Sequence, residues 1–405
     1  MKNQMKRKAS VLLLSAFCLL QGYADKIVDS KTMVIADPVI SGAIYRGNVG
    51  RTGVFNQTGV TGKPSLKWKV DLGGKVISSP VVWNGTLFVG GPKGLHALNA
   101  ETGAQKWLFP VKNGVNSSVA VADGMVYFTG MDLKLYGVNI ADGKKVWTVN
   151  GRADKWIKGL STAPLVLYGA VICPIGGKVV AVHSKTGKKI WEINAGTTCY
   201  NGVAANKDRI FFDNGYSWCQ FVAYDIETAE KLFTKSTGGI GKYNIPAVRG
   251  DRTYSAGTSA VECNRSDNLS LTHHDEASQA IWSSELLKKR VEDNEYVLTT
   301  SPTIWKNLVI VGNQTGYMYA FDETKKGKQV WEKNVGAELL SGPSVADKSG
   351  ILYFGAHDSN LYALDAKTGS EKWTFKTGGI VQASPWIGDG VVYISSFDGF
   401  VYALK

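Results

Sequence analysis

Tyr362-Ala363-Leu364-Asp365-Ala366-Lys367-Thr368-Gly369-Ser370-Glu371-Lys372-Trp373 is the stretch that decides the fold. Its first residues alternate between apolar and polar, the period-two pattern of a strand with one buried face. Asp-x-x-Thr-Gly then spells a hairpin: a turn whose amides the Asp carboxylate can satisfy, followed by a Gly in the left-handed region. Four residues after the Gly comes a Trp. On the outermost strand of a small sheet, such a ring can wedge against the next sheet and remove roughly 150–250 Å² from water.

The same ending recurs along the chain. Six further copies run from His96 to Trp107, Tyr136 to Trp147, Val180 to Trp191, Val222 to Phe233, Leu271 to Trp282 and Tyr319 to Trp331. The polar residue stands eight positions before the aromatic in six copies and nine in the Asp322 copy; successive aromatics are 40, 44, 42, 49, 49 and 42 residues apart. That period fits a four-stranded blade. Upstream of each motif lie two more strands, as in Ser78-Ser79-Pro80-Val81-Val82-Trp83 followed by Thr86-Leu87-Phe88-Val89.

An eighth unit is split. Gln382–Trp386, Val391–Ser395 and Phe400–Leu404 supply three strands before the chain stops, and Leu66-Lys67-Trp68-Lys69-Val70 carries a Trp without a blade of its own. Pairing these ends would close the ring and remove open sheet edges. The sequence therefore predicts an all-β, eight-bladed propeller of four-stranded blades over residues 65–405. Trp68, Trp107, Trp147, Trp191, Phe233, Trp282, Trp331 and Trp373 are its structural docking aromatics.

Residues 1–24 read as a signal peptide, with Lys2, Lys6, Arg7 and Lys8 before the apolar run Val11–Leu20 and a Gly22-Tyr23-Ala24 cleavage site. Residues 25–64 read as an N-terminal leader. Phe17 stands before Cys18, where lipid attachment would need a small residue. The expected location is periplasmic or secreted. The formal charge of +12 includes four positive charges in the signal peptide and no acid there, leaving +8. Lysines in turns account for this basicity as a solvated surface, and export argues against a nucleic-acid partner.

Four cysteines remain after cleavage: Cys173, Cys199, Cys219 and Cys263. An even number in an oxidising compartment permits disulfides. Strand order places all four towards one rim of blades three to five, with Cys219–Cys263 the expected bridge and Cys199–Cys219 the alternative.

The Ala-x-Asp-x-x-Thr-Gly-x-x-x-Trp repeat, with Tyr45-Arg46-Gly47-Asn48 and Arg51-Thr52-Gly53 ahead of it, resembles the pyrroloquinoline-quinone-like repeat propellers over about residues 44 to 405. That family includes quinoprotein alcohol dehydrogenases, the BamB lipoprotein of outer-membrane barrel assembly, and secreted scaffolds. Fold does not choose among them. The resemblance implies that an enzyme of this kind would need an adjacent cysteine pair, acid and amide ligands to calcium and a Trp beneath the quinone. No Cys-Cys occurs in this chain, nor a Cys-x-x-Cys-His for haem. Neither quinone nor calcium is expected. The histidines, His273-His274 included, fall at repeat positions that suit structural roles.

Propellers bind at a ring face. The conspicuous residues there are Trp156 and Lys158 entering blade three, Tyr200 and Asn201 entering blade four, Tyr216 and Trp218 within it, and Lys242 with Tyr243 entering blade five. Aromatics flanked by lysine suit a protein or glycan partner. The function expected is a monomeric, non-enzymatic binding or scaffold propeller. The alternatives are a quinone-dependent dehydrogenase and a BamB-like assembly factor.

Overall fold

The structure is a computed structural model that describes residues 42–151, 162–195, 202–214, 220–236, 245–256, 260–265, 281–285 and 300–405. Eight sheets make the blades of a propeller, each with four antiparallel strands, in chain order in the first seven. In blade one the strands are Val81–Trp83, Thr86–Gly91, Gly94–Asn99 and Gln105–Pro110, from inner to outer. Blade eight takes its outer strand, Leu66–Asp71, from the other end of the chain: Trp68 pairs with Ala403 and Asp71 with Phe400.

The repeat motif acts as its chemistry requires. Asn99 Oδ1 accepts from the amides of Glu101 and Thr102, and Asp365 Oδ1 from those of Lys367 and Thr368. Gly103, Gly143, Gly187, Gly327 and Gly369 all sit at φ between 68° and 76°. A Cβ on Gly143 would come within 2.7 Å of the Trp107 ring, and one on Gly369 within 2.7 Å of Trp331. Trp68, Trp107, Trp147, Trp282 and Trp331 thus each lie on the hairpin glycine of the next blade, and the turn that Trp191 reaches carries Ala229 at φ 56° instead. At most seams the indole N–H also finds a carbonyl of that next blade. Trp107 donates to Ile140 at 3.0 Å, Trp147 to Ser184 at 2.7 Å, Trp191 to Ile226 at 2.9 Å and Trp331 to Ala366 at 3.1 Å.

Two seams depart from this rule, each for a physical reason. The blade-six hairpin is one residue longer and folds as a 3-10 turn, Glu323–Lys325. The expected carbonyl is displaced, the Trp282 indole N–H is left without a partner, and the Ser284 hydroxyl bonds the Gly327 carbonyl instead. Blade eight has no third-to-outer hairpin, because its two strands come from opposite ends of the chain. Trp373 donates instead to Val60 of the leader at 3.2 Å, and Tyr353 Oη donates to the same carbonyl at 2.8 Å.

In seven blades the ladder skips one residue on the outer strand, immediately before the docking aromatic. The bulged residues are Lys67, Lys106, Val146, Ile190, Leu232, Val330 and Lys372. A bulge turns the local strand and aims the following side chain, here the ring that must reach the next blade.

Blade five corrects two expectations. Its third strand is Ala260–Arg265, not the stretch around Leu271 and His274 that the motif spacing selects; those residues lie outside the described ones. The extra length therefore falls between third and outer strands, not between second and third. Cys263 pairs with Tyr254 on one side and Trp282 on the other. It occupies the position facing the aromatic that is Ala97, Gly137, Ala181, Ala223, Ala320, Ala363 and Ala403 in the other blades. The docking ring needs a small neighbour, and a buried Cys behaves as a small hydrophobe. Cys263 is a free thiol, so the expected Cys219–Cys263 bridge does not form; Cys173 is free too. Both are buried within sheets rather than at a common rim. Cys199 and Cys219 lie outside the described residues, as does the signal-peptide segment.

Candidate functional site

Residues 42–60 contain no Asp, Glu or Lys but do contain two arginines. Residues 42–55 run along the inner strands at the axis of the ring, and residues 57–60 then pass along blade seven to Trp373 on its outer strand. Gly42–Ile44 adds antiparallel to the inner strand of blade two, and Val54–Phe55 adds parallel to that of blade seven. Between these strands the chain makes a tight, glycine-assisted loop whose backbone meets the inner strands in turn. Val49 O accepts from Ala205 N in blade four, Gly50 O from Val248 N in blade five, Thr52 O from Ile304 N in blade six and Gly53 O from Val345 N in blade seven.

Arg46 and Arg51 anchor this plug. Arg51 Nε donates to Val203 O at 3.1 Å, one Nη to Tyr45 O at 2.6 Å, and the other to Ala163 O and Pro164 O at 3.2 and 2.8 Å. It thereby ties blade three to blade four. Arg46 reaches the other way: one Nη bonds Pro302 O at 2.5 Å and Thr303 Oγ1 at 2.9 Å, and Nε bonds Arg51 O at 3.0 Å. Both guanidiniums are fully buried, and burial lowers both from 12.5 to about 10, still charged at neutral pH. Carbonyl dipoles and the Tyr45 ring, 5.7 Å from the Arg51 carbon, stand in for a carboxylate.

At the face bearing the second-to-third loops, a small latch repeats. Tyr136 Oη donates to Asp132, Tyr362 Oη to Asp358 and Tyr402 Oη to Asp398, all at 2.5–2.6 Å. Each carboxylate holds its loop down and pushes its tyrosine up, Tyr362 to about 12, with burial the larger cause. His357 Nδ1 lies 2.8 Å from Glu338 on the same face.

None of the eight predicted binding-face residues can be placed: Trp156, Lys158, Tyr200, Asn201, Tyr216, Trp218, Lys242 and Tyr243 all lie outside the described residues. Three residues before Tyr216 in the sequence is Asp213, near the end of the second strand of blade four and opposite Phe221. Burial alone pushes its carboxyl up to about 7. Sequence reading passed over Asp213, because one acid in Phe-Phe-Asp-Asn carries no motif.

Among the described residues the axis carries two buried cations, Arg46 and Arg51, whereas a divalent ion is held by acids and other oxygen ligands. Among the described residues no group of three or more His, Cys, Asp or Glu could hold a metal ion. The described residues also contain no helix long and apolar enough to cross a membrane.

A family model described as outer membrane protein assembly factor BamB, built on the quinone-type repeat, matches residues 61–261, 205–373 and 314–405. The chain belongs to this family of repeat propellers. The outer membrane protein assembly factor BamB of Yersinia pestis is 25% identical over 324 residues, covering 73% of this chain and 76% of that protein. The quinoprotein alcohol dehydrogenase PedH of Pseudomonas putida is 23% identical over 419 residues, covering 89% of this chain and 68% of the enzyme. Among solved structures, the quinohemoprotein alcohol dehydrogenase from Comamonas testosteroni superposes with a TM-score of 0.72 at 16% identity, over 89% of this chain and 80% of that one. At such identity the likeness is one of fold.

Proposed function

We propose that this chain is an exported, non-enzymatic propeller that binds other proteins in the cell envelope, in the manner of an assembly factor. The observation that carries this reading is the filled axis. A ring whose channel is occupied by its own leader, with the arginines satisfied by seam carbonyls, has its faces and outer wall left for partners. The family description and the match to an assembly factor from Yersinia pestis support the same reading. A periplasmic location follows from it, and a single ring is its working unit. A protein partner is favoured over a glycan because the family description names proteins as what is assembled.

The test is chemical cross-linking of the tagged chain in intact cells, followed by mass spectrometry of the captured envelope proteins. Specific, stoichiometric capture of outer-membrane assembly components is the expected result. Recovery of glycan alone, or dye reduction by the purified protein after incubation with pyrroloquinoline quinone and calcium, would overturn it.

A further inference from the structure

The bulged position before the docking aromatic is not occupied at random. In blades seven, eight and one it is Lys372, Lys67 and Lys106. In blades two, three, four and six it is Val146, Ile190, Leu232 and Val330, and in blade five Ile281 directly precedes Trp282. Five consecutive blades thus carry an aliphatic side chain at one height on the outer wall. Leu232 is half-buried against the core, and the other four are well exposed: 50% for Val146, 54% for Ile190, 41% for Ile281 and 48% for Val330. They account for four of the six large apolar side chains exposed among the described residues.

A bulge needs no particular side chain, since lysine serves in three blades of the same ring. Exposed aliphatic groups repeated in four of the eight blades are therefore not required by the fold, and such patches mark interaction sites. Lysines accompany them. Lys145 precedes Val146, Lys189 precedes Ile190, Lys231 precedes Leu232, and Lys328 lies two residues before Val330. The wall is convex, so a flat surface such as a bilayer meets it along one line and cannot engage five blades together. A flexible chain can follow it.

We propose that this arc binds an extended, acidic polypeptide, its apolar side chains seated between blades on Val146, Ile190, Ile281 and Val330 and its carboxylates facing the adjoining lysines. The bulges interrupt the edge ladder, so side chains rather than added backbone pairing make the contact. This inference rests on the protein-binding reading above and names the chemistry of the partner.

The experiment uses the full mature chain and a fluorescein-labelled, unstructured peptide of repeating Asp-Ser-Ile-Gly, followed by anisotropy. The variant is Val146→Thr/Ile190→Thr/Val330→Thr, which removes the exposed apolar groups without changing charge, keeps β-branched residues at surface strand positions and so leaves the melting temperature unchanged. Binding should weaken about tenfold or more in this variant, which corresponds to about 1.4 kcal/mol or more. It should also weaken in high salt and be absent for a Lys-Ser-Ile-Gly peptide. Equal binding by variant and wild type, no binding by either, or a preference for phosphatidylglycerol vesicles over the peptide would overturn the proposal. So would a dimer of the wild type that the variant abolishes. Cross-linking to assembly components that survives in the variant, with no peptide binding, sinks the arc and leaves the assembly reading standing. Arc-dependent peptide binding without those components does the reverse.

Discussion

Replacing Arg51 with methionine sets two large effects against each other, and their magnitudes decide the sign. Burial takes the guanidinium from 12.5 to about 10; at about 1.4 kcal/mol per pH unit, this costs the cation about 3 kcal/mol relative to water. Against this stand four bonds to main-chain carbonyls, those of Tyr45, Ala163, Pro164 and Val203. Charge-assisted bonds contribute roughly 1.5–3 kcal/mol each, so together they outweigh the penalty. Methionine would recover some apolar burial but would leave those carbonyls facing a hydrocarbon, at about 1 kcal/mol or more apiece. The expected net loss is about 4 kcal/mol. In a ring of this size that lowers the melting temperature by about 8 °C, at roughly 2 °C per kcal/mol. Scanning calorimetry at one fixed rate, wild type beside variant, measures it. A variant that melts with or above the wild type would show that the buried charge is a net burden and that carbonyl dipoles do not compensate it.

Other outcomes follow from single residues. Gly369→Ala should destabilise by more than about 1 kcal/mol, because its φ is 72° and a Cβ would strike Trp331 at 2.7 Å. Ala229→Gly, at φ 56° in the equivalent turn of blade four, should raise the melting temperature. Asp213 is the reverse of the usual acid: its folded pKa is raised to about 7, so its neutral form is favoured. Its contribution to stability is greatest below the ordinary carboxylate range and falls as pH rises through 7. Asp213→Asn should accordingly stabilise at pH 8 and do nothing at pH 4; a gain equal at both would refute the burial of a charged group. Cys173 and Cys263, whose thiols burial pushes up to about 12, should resist iodoacetamide in the native protein and react in denaturant without reductant.

The blades were legible because their cohesion is written in side chains. A Trp, a Gly at positive φ and an acid in a turn each have a fixed place, and seven copies in register leave little else to build. Closure was legible for the same reason, since Trp68 had no other blade to serve. The plug was not. Arg46 and Arg51 bond carbonyls 112 to 297 residues away, and a carbonyl has no letter in the sequence. The one signal was two arginines in a segment without any acid. Blade five misled because Cys263 stands for the repeat's alanine: counting back from Trp282 met an insertion before it met the strand. The apolar arc escaped notice because a Val or Ile beside a Trp reads as core until the bulge turns it outward.

The plug also constrains how the molecule is made. Gly42–Ile44 is among the first segments of the ring to leave the ribosome, yet it pairs with residues 120–122, while Val54–Phe55 waits for residues 345–346 and Leu66 for Leu404. An emerging chain therefore holds an axle before it has a wheel. Until the final residues are delivered, Leu66–Asp71 lacks its partner strand and the ring keeps an open seam. Non-local pairing of this kind is slow and leaves sticky intermediates. A chain stopped short by a few residues cannot seal its last blade and stays open to proteases. Full-length synthesis and stability are thereby the same checkpoint.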